Sequence, residues 1–104
     1  MISNSLLHQL PDPALFWREV RRQVRPGDPI FVVDLFRPET PTAADAIVEK
    51  YSGGEDPTLK RDFFNSLCAA FTPVEVAGQL RAAGLGHLAP AVISDRHWAV
   101  AGRL

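Results

Sequence analysis

A second cysteine is missing from this 104-residue chain, so Cys68 cannot close a disulfide within it, and a reducing, cytoplasmic setting is the expectation. Long apolar runs are missing as well. Nothing approaches the roughly 18 consecutive apolar residues that span a bilayer, and no basic-then-apolar leader opens the chain, so membrane insertion is excluded. Charge of one sign is also lacking: eleven Lys and Arg oppose twelve Asp and Glu, a formal net charge of -1. No global field then attracts nucleic acid or anionic lipid. Neither a repeat period nor a low-complexity tract is present, and the recurring Asp12-Pro13, Asp28-Pro29 and Asp56-Pro57 act as punctuation.

The remaining composition, 46% hydrophobic and 22% charged, is that of one small soluble globular domain. Its length allows a single two-layer core with little burial to spare. Cys68 lies in the apolar run Leu67-Cys68-Ala69-Ala70-Phe71, which predicts a buried free thiol.

Local signals then order the chain. Met1-Ile2-Ser3-Asn4 reads as the end of a strand, and Ser5 to Pro11 as a connection. Asp12 as N-cap and Pro13 in the first turn open a helix in which Phe16, Val20 and Val24 recur on one face until Pro26-Gly27 stops it. Arg18, Arg21, Arg22 and Arg25 fall on its opposite face, the position of a solvated stripe. Ile30-Phe31-Val32-Val33 is a continuous β-branched and aromatic run, the pattern of a central strand covered on both faces.

Helices are predicted over Thr42 to Tyr51 and again from Pro57, where Leu59, Phe63, Leu67 and Phe71 share a stripe that Phe64 and Cys68 widen. Thr72-Pro73-Val74-Glu75 is a capping box for a further helix with Val76, Ala77, Leu80 and Ala83 inward and Gly84 at its end. Ala91-Val92-Ile93 and Trp98-Ala99-Val100-Ala101 flank Ser94-Asp95-Arg96-His97 at the spacing of a β-hairpin. The expected fold class is therefore α/β, a sheet of about four strands with a C-terminal antiparallel hairpin and flanking helices.

Three segments resemble, in order, the second half of class I S-adenosylmethionine-dependent methyltransferases. They are Ile2-Ser3-Asn4-Ser5-Leu6-Leu7-His8-Gln9-Leu10-Pro11-Asp12-Pro13; Val24-Arg25-Pro26-Gly27 leading into Phe31-Val32-Val33-Asp34; and Phe71-Thr72-Pro73-Val74-Glu75 through Ala82-Ala83-Gly84-Leu85. The resemblance implies a partial Rossmann-like sheet running from the family's fourth strand to its seventh. Asp28 stands where the family's turn has a second glycine. The larger departure is an absence. The family holds its donor on a glycine-rich loop after the first strand and an acidic residue ending the second, and neither is found here; Gly53-Gly54 and Gly84-Leu85-Gly86 are in the wrong context. The implied cofactor, S-adenosylmethionine, is thus not expected to bind this chain alone.

The resemblance places Asn4, Ser5 and His8 near the transferred methyl group and the acceptor, with His8 as a candidate general base and a solvated loop histidine as the competing reading. Asp34, ending an apolar strand, is a candidate substrate contact or a carboxylate bonded to nearby backbone. Phe63, Phe64, Asn65 and Ser66 fall in a helical insertion that in such enzymes covers the acceptor pocket; Phe64 and Asn65 are the candidates for acceptor selection, against core packing for the two phenylalanines. His8, His87 and His97 lack zinc-site spacing, and no serine has the glycine-flanked turn of a hydrolase nucleophile.

Three functions follow. The chain is one part of a methyltransferase completed by a donor-binding polypeptide or an upstream segment, since Met1 falls inside a predicted strand. Alternatively it is a non-catalytic, self-associating interaction module, a homodimer joined along its exposed N-terminal strand. A small enzyme of unrelated chemistry has the least support.

Overall fold

A computed structural model describes the backbone of residues 2–4 and the whole of residues 12–104. Strand β1 (Ile2–Asn4) precedes helix α1 (Pro13–Gln23), strand β2 (Pro29–Leu35), helices α2 (Pro41–Ser52), α3 (Pro57–Ala69) and α4 (Pro73–Ala82), and strands β3 (Pro90–Val92) and β4 (His97–Arg103). The protein is therefore α/β. β4 pairs antiparallel with β2 from Pro29↔Arg103 to Leu35↔His97, and antiparallel with β3 from Pro90↔Val100 to Val92↔Trp98. The short β1 pairs parallel with β2, so the strands lie in the order β1-β2-β4-β3.

Every helix opens in the same way, on a capping side chain followed by proline. Asp12, Thr40, Asp56 and Thr72 accept hydrogen bonds from first-turn amides, and the prolines lose nothing because an N1 amide has no intrahelical partner. At Thr72 the box is complete: its hydroxyl accepts from the Glu75 amide at 3.2 Å and the Glu75 carboxylate from the Thr72 amide at 2.9 Å. Gly27 (φ 89°) and Gly84 (φ 76°) turn the chain after α1 and α4 in a left-handed conformation open to glycine.

Alternation along β2 divides its side chains between two faces. Ile30 and Val32 face a main core built with Phe16, Trp17, Val20 and Val24 of α1, Val76 and Leu80 of α4, Leu85 and Leu88 after it, and Trp98 and Val100 of β4. Each such aliphatic side chain contributes about 1.5–3 kcal/mol relative to exposure. Phe16 and Trp17 meet edge to face, their ring centroids 4.9 Å apart. On the opposite face Leu35 is buried by a smaller cluster of Ala44 and Val48 from α2, Leu67 of α3 and Ala70 after it, and Val33 is half-buried.

Three sequence expectations require correction. β2 is not covered on both faces: Phe31 is 44% exposed, because α2 and α3 pack at the end of the strand and not along it. Cys68 is exposed, although Leu67 beside it is fully buried. The stripe from Leu59 to Phe71 is broken at both ends; Leu59 is exposed, and α3 stops at Ala69, so that Phe71 packs against the main core instead. Phe63 and Phe64, half-buried, pack against the smaller cluster.

Candidate functional site at the carboxyl end of the second strand

Parallel pairing with Asn4 opposite Val33 brings the carboxyl ends of β1 and β2 to one edge of the sheet. In open α/β sheets this is where ligands bind. The amide of Arg37 donates to the Phe71 carbonyl at 3.4 Å, and the Arg37 guanidinium pairs with Glu75 at 3.0 Å, which fixes the start of α4 at this edge. Trp17 bonds to Gln79 and, one turn on, Arg21 bonds to Ala83, so α1 runs parallel to α4 and starts at the same end. Helix α2 begins there too, six residues after Leu35. A cleft of about 230 Å³ opens at this point, with Arg37, Glu39, Thr40, Ala44 and Cys68 on its wall.

Asp34 lies beneath this edge, not on its surface. It is 1% exposed, shares the covered face with Ile30 and Val32, and its carboxylate accepts from the Leu35 amide at 2.7 Å. Directly across the ladder is Trp98, fully buried, whose Nε1–H has no acceptor among the described residues. Of the acceptor-side candidates, Asn4 comes to the same edge as Asp34 through its backbone pairing. Ser5 and His8 lie outside the described residues. Phe64 is on the inner side of α3 and Asn65 on its exposed side, one turn before Cys68.

A polar cluster at the β3–β4 turn joins residues that no local spacing connects. Lys50 Nζ donates to Asp95 at 2.9 Å, the Tyr51 hydroxyl donates to the same carboxylate at 2.8 Å, and the Arg96 guanidinium lies 3.8 Å from the centre of the Tyr51 ring. Hydrogen bonds from Lys50, then Tyr51 and Arg96, hold Asp95 at about 2, below its ordinary 3.8. Inside the turn the Ser94 hydroxyl accepts from the Arg96 amide at 3.2 Å and the His97 amide at 3.0 Å. With both lone pairs engaged, its proton is left for His97 Nδ1 at 3.0 Å, which must be the unprotonated nitrogen. Burial first, then the charge of Arg96, lowers the His97 pKa against the opposing pull of Asp34 and Asp95. Because both lone pairs of Ser94 are taken up by backbone, the pair orders a turn and does not present a nucleophile.

Of the predicted arginine face, Arg18, Arg21 and Arg22 lie on α1, while Arg25 follows its end. Arg22 is bidentate to Glu19 at 2.9 Å, Arg21 donates to the Ala83 carbonyl at 3.0 Å, and Arg18 and Arg25 have no side-chain partner among the described residues.

The site does not fit the donor that the methyltransferase resemblance implies. Neither the Ser5–Asp12 connection nor the Phe36–Thr40 connection, the two that lead from a strand to a helix, contains glycine, and the latter contains a proline. Gly53-Gly54 follows α2 and Gly84 follows α4, so both leave a helix instead of opening one after a strand. Comparison of this chain with family models, curated proteins and solved structures gave no match.

Proposed function

We propose that this chain is the acceptor-side half of a class I methyltransferase-like fold, without a donor site of its own and inactive as an isolated chain. One observation carries the reading: the strand order β1-β2-β4-β3, in which a parallel pair linked through a helix is followed by a closing antiparallel hairpin whose last strand lies inside the sheet. That succession agrees with the one the resemblance implies for a Rossmann-like sheet from the fourth strand to the seventh. The gathering of helix starts at the carboxyl end of β2 agrees with an acceptor pocket there, with Asp34 and Asn4 at its edge; Ser5, His8, Phe64 and Asn65 are candidates by the resemblance alone. Calorimetric titration with S-adenosylmethionine tests the missing donor site. No saturable heat is expected, and micromolar binding of one donor per chain would overturn the reading.

A second reading, a self-associating interaction module, is favoured by the uncovered side of the sheet. Phe31, on the face turned away from the main core, is 44% exposed, and β1 beside it is a three-residue edge strand. Pairing of two copies along that edge about a twofold axis closes the assembly. Light scattering separates the readings: a dimer supports association through this side, and a stable monomer of 11.4 kDa removes it.

A further inference from the structure

We propose that the groove between α1 and α4 is a binding site for a small organic carboxylate with a compact apolar body. It is distinct from the cleft at the end of β2 and does not depend on the methyltransferase reading. The groove encloses about 410 Å³, within the range of small-molecule sites, and its floor is made of small residues, Pro13, Ala14, Ala82 and Ala83.

Two hydrogen-bond donors that line this groove have no partner among the described residues. The buried Trp17 indole donates to Gln79 Oε1 at 3.0 Å, which fixes the amide orientation and leaves the Gln79 NH2 without a partner among the described residues. Arg18 lines the same groove and also lacks one. Arg21 is anchored by its bond to the Ala83 carbonyl, and Gly84 leaves it room, since a Cβ there would stand 2.8 Å from Nη1. A guanidinium fork and an oriented amide suit a planar carboxylate, which accepts two parallel bonds from the fork and one from the amide. Among the described residues the one acid on the wall, Asp12, already caps α1 through its bond from the Ala14 amide at 2.9 Å.

Amide shifts in two-dimensional NMR, with benzoate as the probe and benzamide as its neutral isostere, test the proposal. Benzoate is expected to shift Ala14, Arg18, Gln79 and Ala83 saturably, and benzamide to bind at least about tenfold more weakly. Arg18→Glu should abolish the benzoate shifts, while Arg61→Glu on exposed α3 should leave them unchanged. Equal binding of the two probes, shifts confined to other residues, or unaltered binding by Arg18→Glu would each overturn it.

Discussion

Trp98 faces Asp34 across the β2–β4 ladder, and the two differ in how their polar atoms are satisfied: the carboxylate accepts from the Leu35 amide, while the indole Nε1–H is buried with no acceptor among the described residues. A buried donor without a partner costs about 1–3 kcal/mol, so this indole is retained for its volume and not for its nitrogen. Trp98→Phe is therefore expected to cost less than about 2 kcal/mol, against about 3–5 kcal/mol for Trp98→Ala, which empties the site. Chemical denaturation measures both. A Phe variant as unstable as the Ala variant would mean that the N–H is bonded.

Thr72→Ala is expected to destabilise the fold by about 0.5–2 kcal/mol, through loss of the bond to the Glu75 amide. Bonding of Glu75 to the Thr72 amide, aided by Arg37, lowers the Glu75 pKa despite some burial. An unchanged denaturation midpoint in the Ala variant would show that water replaces the cap without loss.

The turn holding His97 makes stability depend on pH in a stated direction. The folded pKa lies below the unfolded value of about 6.5, so the unfolded chain takes up the proton first. Stability is complete above that unfolded value and falls as pH drops from it toward the folded pKa. His97→Asn keeps an acceptor for the Ser94 hydroxyl without a titrating group, and should flatten the fall between pH 7 and about pH 5. Denaturation midpoints in that window check it; a variant with the same slope as the wild type would assign the dependence to another group.

Local chemistry made most of the fold legible. Asp12-Pro13 and Pro26-Gly27 bracket α1, the capping box marks the start of α4, and the hairpin emerges where its apolar runs require. Stripe reading failed on α3 because it assumes a partner for every apolar residue. α3 packs on α2 around a narrow seam through Leu67, which leaves Leu59 and Cys68 in solvent and sends Phe71 to the other core. The candidate site was less legible. Asp34 reads as a strand-end acid, but its burial depends on the register that sets it opposite Trp98. The link from Lys50 and Tyr51 to Asp95 joins residues more than forty positions apart, beyond any local spacing.

That link is expected to hold the β3–β4 turn against α2. Asp95→Ala should raise amide exchange at Ile93 and His97, whose backbone bond of 3.0 Å closes the turn, while leaving α1 and α4 protected. Unchanged exchange at the turn would mean that the ladder alone holds it.

The functional reading rests on the strand order, and cross-strand proton contacts measured by NMR test that order most directly. Contacts are expected from β4 to both β2 and β3, such as Val33 to Ala99 and Ala91 to Ala99, with parallel-type contacts between Ser3 and Val32. Direct pairing of β3 with β2, or an antiparallel β1, would contradict it.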